Sequence, residues 1–178
     1  FSGSKGVTTG SVGTVTINDQ IYNQLSFRPD ISYGKMGIVL DIYLYFNDDG
    51  VYWENWDFSG FVPAYCTIID KIYYLRWGHP GDDLYILAGA LPSATLGQGI
   101  LVNKYSNIME YPQVRKIGLN LQTNVSGVIL EVIHSNFKSA APGLLGLRGS
   151  YPILPKMNLG LSFVTDINQL AGLPDSDG

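Results

Sequence analysis

The sequence predicts an all-β fold, an antiparallel up-and-down meander of about eight strands, and three observations carry that prediction. Apolar and polar residues alternate with period two through most of the chain. Turn residues such as Gly34-Lys35, His79-Pro80-Gly81-Asp82 and Ser126-Gly127 separate the alternating runs. The composition leans the same way, with 21 Gly, 12 Tyr and many aliphatic residues, a mixture that favours strands and turns over helices.

Taken in order, the window 14–21 reads as a separate strand or the start of the first. Leu25, Phe27, Ile31 and Tyr33 alternate with Gln24, Ser26, Arg28, Asp30 and Ser32, and the turn at Gly34-Lys35-Met36-Gly37 leads into a second run. There Ile38, Leu40, Ile42, Leu44 and Phe46 share one face, and Val39, Asp41, Tyr43, Tyr45 and Asn47 the other. A second hairpin joins the run from Ile72 to Trp77 to Leu84, Ile86, Ala88 and Ala90. A third sets Ile117, Leu119 and Leu121 against Val128, Leu130 and Val132. A fourth sets Leu145, Leu147, Gly149 and Tyr151 against Leu159, Leu161 and Phe163 around Leu154-Pro155-Lys156-Met157. Between hairpins lie two long connections: 48–65, aromatic, with Tyr52, Trp53, Trp56, Phe58 and Phe61, and 92–112, of mixed composition.

A chain of 178 residues suits one domain, here 1–172, followed by an Asp-rich tail at 173–178. A net charge of −4 with 11 scattered basic residues excludes a nucleic-acid partner, which needs clustered Lys and Arg. Cys66 is the only cysteine, so neither an intramolecular disulfide nor a Cys-based zinc site can form. No run of 18 or more apolar residues exists, which excludes a transmembrane helix and leaves a membrane barrel open. Export would require a signal peptide already removed from this numbering.

The distribution of charge decides how the strands face their surroundings. Only 15% of residues are charged, against roughly 25% in a soluble domain. A soluble sandwich would crowd the face opposite its aliphatic residues with Lys and Glu. Here that face carries Gly, Ser, Asn, Gln and Tyr with Asp41, Arg76, Lys116, Glu131, Arg148 and Asp166, a set able to neutralise itself as a polar network inside a narrow lumen. Tyr43, Tyr45, Tyr73, Tyr74 and Trp77 suit aromatic girdles. Short turns at one end and long connections at the other match an outer-membrane barrel with external loops.

Several phrases carry a resemblance: Tyr22-Asn23-Gln24-Leu25-Ser26-Phe27-Arg28-Pro29, Ile69-Asp70-Lys71-Ile72-Tyr73-Tyr74-Leu75-Arg76-Trp77-Gly78, Thr95-Leu96-Gly97-Gln98-Gly99-Ile100-Leu101-Val102-Asn103 and Glu110-Tyr111-Pro112-Gln113-Val114-Arg115-Lys116. They resemble a poorly characterised family of outer-membrane β-barrel proteins of diderm bacteria. The resemblance implies an address more than an activity. It also implies that the chain is a fragment of a longer protein, with Leu173 to Gly178 opening calcium repeats like those of thrombospondin type 3. Asp175 and Asp177 are then weak calcium candidates, and no other cofactor is expected. Outer-membrane barrels commonly end on a strand with a terminal aromatic residue, and this chain ends on a polar tail.

Chemical motifs are scarce. No Gly-x-Ser-x-Gly elbow occurs, and the two histidines, His79 and His134, fall in a turn and on a strand. No His-x-x-x-His spacing exists to hold a catalytic zinc. Asn47-Asp48-Asp49-Gly50 resembles the start of an EF-hand loop, but Trp56 stands where its closing acidic residue belongs, so a hairpin turn is expected. Asp82-Asp83 reads as a solvated turn and Gly97-Gln98-Gly99 as a bend. Nothing points to an enzyme.

The expected function is therefore a non-enzymatic, porin-like outer-membrane barrel, an anchor or pore component. Its partners would be the lipid bilayer and, through the aromatic loop at Tyr52, Trp53, Trp56, Phe58 and Phe61, a cell-surface protein or glycan; oligomers are compatible with it. Two alternatives follow from the same pattern: a secreted soluble β-protein assembling into a surface layer or filament, and a lipocalin-like carrier of a hydrophobic ligand.

Overall fold

The computed structural model describes residues 8–53, 56–109, 115–138, 143–154 and 157–166. The fold is all-β: the described residues form eleven strands and one helix, with antiparallel pairing along the meander. The chain forms two compact units, Phe1–Leu75 and Arg76–Gly178.

In the first unit β1 (Thr8–Ile17) and β2 (Gln20–Tyr33) form a hairpin. Its two-residue turn is Asn18-Asp19, with φ of 50° and 62°, the left-handed pair that matches strand twist. The window 14–21, expected as a separate strand or the start of the first, is therefore the end of β1, a turn and the start of β2. Asn and Asp adopt this conformation without the glycine that usually announces it.

Strands β3 (Met36–Leu40) and β4 (Ile42–Asn47) both pair with β2 in one unbroken register, Asp30 opposite Val39 and Phe27 opposite Ile42. They form a single arm interrupted only at Asp41, whose N–H donates to the Lys71 carbonyl at 2.7 Å. The hairpin expected around Gly34-Lys35 is borne out. A tight turn then leads to β5 (Gly50–Val51), with Asn47 opposite Gly50 and the Asp49 N–H donating to Asn47 Oδ1 at 2.9 Å. The Asn-Asp-Asp-Gly stretch is thus a hairpin turn, as expected.

Helix α1 (Phe61–Asp70) was not expected. It falls partly inside the connection 48–65, and it lacks a side-chain N-cap, so the usual start signal is missing. Pro63 is tolerated because the first-turn amides have no intrahelical acceptor anyway. Strand β6 (Ile72–Trp77) follows and contains the boundary between the units.

The second unit contains β7 (Leu84–Gly89), β8 (Gly118–Val125), β9 (Val128–His134), β10 (Leu144–Leu154) and β11 (Met157–Asp166), each paired with the next. Both expected hairpins in this region are borne out. Among the described residues β1 and β11 each have one strand neighbour, so each unit has an open edge. A closed barrel is not formed within either.

Register fixes what lies on each face. Tyr85, Gln122, Glu131, Arg148 and Ser162 stand side by side across β7 to β11, and Ile86, Leu121, Val132, Leu147 and Phe163 form the next row on the opposite face. Tyr85, Leu87, Ile133 and Ser150 are buried, whereas Leu84, Leu130, Leu147, Leu161 and Phe163 are exposed. The first unit repeats the pattern: Val39, Asp41 and Tyr43 are buried, and Ile21, Leu25, Phe27 and Ile31 are exposed.

The enclosed face of the second unit is covered by its own chain. Residues 90–108, which overlap most of the connection 92–112 expected as an external loop, fold back onto β7 to β10 as a strap. Leu91, Ala94, Leu96 and Val102 are buried, and Ala94 and Tyr105 exchange two backbone hydrogen bonds at 2.8 Å. The approach is close because Gly118 carries no Cβ; one there would lie 2.7 Å from Leu91 Cδ1 and 2.8 Å from Asn107 Nδ2. The external-loop expectation is corrected for this segment: its aliphatic residues satisfy an apolar patch, Leu87 and Ile133, that the alternation had marked as lumen.

Asn107 pins the base of the strap. Its Oδ1 accepts from the Leu91 N–H at 2.7 Å, and its Nδ2 donates to the carbonyls of Ser135 at 2.9 Å and Gly89 at 3.4 Å. Replacing Asn107 with Ala strands three buried backbone groups and is expected to lower the unfolding free energy by about 2–4 kcal/mol, as read by urea titration. A shift below about 0.5 kcal/mol would remove Asn107 from this role.

Candidate functional site

Two ion pairs organise the enclosed faces, one in each unit. In the first, the continuous register of β2 with the β3–β4 arm sets Arg28 opposite Asp41. Arg28 Nη2 donates to Asp41 Oδ2 at 2.9 Å, and the Tyr43 hydroxyl makes a short hydrogen bond to the same oxygen. The Arg28 guanidinium also lies 4.3 Å above the Tyr73 ring centroid, a cation–π contact strengthened by exclusion of water. Asp41 is 0% exposed, so its charge depends on these partners.

The second pair is Glu131 and Arg148, neighbours across β9 and β10. Arg148 Nη1 lies 2.5 Å from Glu131 Oε2 and donates to Ser150 Oγ at 3.1 Å. Glu131 Oε1 accepts from the Gly97 N–H of the strap at 3.2 Å. A carboxylate that uses both oxygens in this way offsets much of its desolvation.

The described contacts join some of the six residues expected as one polar network. Asp41 is joined by Arg28, absent from that set, and Glu131 by Arg148. Arg76 donates to the Gly78 carbonyl at 2.6 Å; Lys116 is half-buried just before β8, and Asp166 is exposed at the end of β11. Arg28 could have been found by counting register outward from the turn at Gly34-Lys35. Tyr43 and Tyr73, expected in aromatic girdles, are buried within the first cluster instead, Tyr43 through its hydroxyl on Asp41 and Tyr73 through its ring beneath Arg28. Trp77 is exposed.

The aromatic loop also divides. Trp56 Nε1 donates to the Tyr43 carbonyl at 3.2 Å, and Lys71 Nζ lies 4.7 Å above the Trp56 ring. Tyr52 packs edge-on against Tyr22 at 5.4 Å. Both are anchors of the loop rather than a free surface. Trp53, Phe58 and Phe61 are exposed, and Val62, Ile68 and Ile69 of α1 are exposed with them. Thr67 ties α1 to this loop, its Oγ1 donating to the Asp57 carbonyl at 3.0 Å and accepting the Asp57 N–H at 3.2 Å.

Among the described residues no group of three or more His, Cys, Asp or Glu is placed to hold a metal. Asp175 and Asp177 lie outside them. His79 and Asp82 share the turn before β7, where the His79 N–H donates to Asp82 Oδ2 at 3.1 Å. His134 stacks on Phe137 with ring centroids 4.1 Å apart. On the exposed aliphatic face an open groove of about 390 Å3 runs over Gly149, with Val128, Tyr151, Leu159 and Leu161 as its walls.

Comparison with protein-family models, with curated proteins and with solved structures finds no match to this chain.

Two outcomes test the site. Asp41→Ala leaves the Arg28 charge without its carboxylate and is expected to cost about 3–5 kcal/mol of stability, measured by denaturant unfolding; a cost near zero would contradict the pairing. In the exposed loop, the Ser59 hydroxyl and N–H donate to Asp57 Oδ1 at 2.6 and 2.9 Å and hold the Asp57 carboxyl below its ordinary value. Because the folded value is depressed, this contribution is present above the ordinary carboxylate pKa and disappears as pH falls through the folded one. In an NMR titration Ser59→Ala is expected to move Asp57 upward, toward an ordinary aspartate.

Proposed function

We propose that this chain is a non-enzymatic β-barrel protein, or part of one, of a bacterial outer membrane, serving as an anchor or pore component. One observation carries the reading: burial is inverted in part relative to a water-soluble sheet, with long aliphatic rows exposed while ionic and polar groups are enclosed beside Val39, Leu87 and Ile133. Leu161 is 82% exposed and Ile21 70%, while Asp41 is 0% exposed and Ser150 4%. In water such large exposed aliphatic faces promote association. In lipid they are the solvated surface, and the charged pairs belong inside.

The sequence resemblance to an outer-membrane barrel family supports the same reading, as does the sparse charge of the whole chain. The exposed Trp53, Phe58 and Phe61 suit the boundary between lipid and water, where amphipathic aromatic rings concentrate, or contact with a cell-surface protein or glycan. Calcium at Asp175 and Asp177 remains part of the proposal through the resemblance alone.

A second reading draws on the open edges of β1 and β11. Ten-residue strands that have one strand neighbour each among the described residues are templates for pairing with another chain, as in a secreted filament or surface-layer subunit.

Fractionation separates the two. The membrane reading expects extraction by detergent alone and migration on gels that changes with heating, and a monodisperse or polymerising protein in plain buffer would contradict it. Leu161→Arg is a sharper probe. At an exposed position in water it is neutral within about 0.5 kcal/mol, whereas on a lipid face it costs up to about 2–4 kcal/mol, depending on depth. Unfolding from lipid vesicles measures the difference.

A further inference from the structure

We propose that the tip of the strap, residues 95–103, is a latch-held gate over the Glu131–Arg148 row, able to lift while the base stays docked. This concerns the second unit alone and stands whether or not that unit sits in a bilayer. The base and the tip are held by different means. At the base Leu91 is fully buried, and Asn107 makes three side-chain hydrogen bonds plus a backbone one, its N–H donating to the Leu91 carbonyl at 3.1 Å.

Among the described residues the tip is tied to the sheet by the packing of Leu96 and Val102, both buried, and by one hydrogen bond, from the Gly97 N–H to Glu131, long at 3.2 Å. Gly97 adopts φ +57°, and a Cβ there would lie 2.4 Å from Arg148 Nε, so the tip is seated directly on the ion pair. The tip also keeps its own fold: Leu96 N–H donates to the Val102 carbonyl and Gly99 N–H to the Leu96 carbonyl, both at 3.0 Å, and Lys104 N–H to Thr95 Oγ1 at 3.0 Å. Lifting it breaks none of these. Its outer side carries Ile100 and Leu101, both exposed. Leu96 and Val102 would leave the sheet when the tip rises, uncovering Glu131 and Arg148 to a solute.

Residue-resolved amide exchange tests this in the full chain, in detergent or in buffer according to where the protein partitions. Glu131→Gln weakens the latch at constant shape, and Gly97→Ala sets a methyl group against the Arg148 guanidinium, so that the tip or that side chain must shift. Each is expected to accelerate exchange at the Gly97 amide by at least about tenfold, with the Leu91 and Asn107 amides unchanged and the Leu96 amide still protected inside the tip. Should Gly97→Ala fail to fold, Glu131→Gln alone decides. No change at Gly97, or acceleration at Leu91 and Asn107 in step with it, would overturn the gate.

Discussion

A carboxylate or guanidinium enclosed by a β-sheet persists only if an opposite charge and enough hydrogen bonds surround it, and this requirement constrains the chain more than any apolar contact. Asp41, fully buried, takes Arg28 and Tyr43 as partners. Glu131 takes Arg148 and the Gly97 N–H. Each pair consists of cross-strand neighbours, so each also fixes register. A slip of one residue would carry the pair to the other face and bring the aliphatic set inward with it. The exposed rows of Leu, Ile and Phe are the counterpart of those pairs, since a pleated strand that turns its ions to one side must turn its aliphatic residues to the other.

The two units meet this requirement differently. In the first, aromatic side chains complete the enclosure, with Tyr43 bonded to Asp41 and the Tyr73 ring beneath Arg28. In the second, the chain returns as the strap and supplies backbone groups and aliphatic residues. Glycine makes the return possible at two points, Gly118 beneath Leu91 and Gly97 above Arg148. Rigid strands thus carry the charges, and an irregular segment closes over them.

Period-two alternation makes most of the strand arms and their two faces legible in the sequence, because register and pleat tie side-chain direction to sequence position. It failed where local chemistry departs from that period. The Asn18-Asp19 turn lacks glycine, so β1 and β2 read as one run. Helix α1 has no side-chain cap and sits inside an aromatic stretch that resembles a loop. The strap is invisible to periodicity, since its buried residues answer to a tertiary surface. Of the polar residues named from sequence, Glu131 and Arg148 meet as a pair, while the partner of Asp41 was missed because Arg28 lies on a different strand and only the hairpin register brings it opposite.

Site-directed spin labelling along β11 bears most directly on the inverted burial. With Cys66 first replaced by Ala, labels placed one at a time from Met157 to Asp166 report accessibility to oxygen, which concentrates in lipid, and to an aqueous nickel chelate. If the aliphatic face meets hydrocarbon, Leu159, Leu161 and Phe163 are expected to favour oxygen, alternating with sheltered Ser162 and Val164. A chelate signal as strong at Leu159, Leu161 and Phe163 as at any water-exposed control would contradict the inverted sheet.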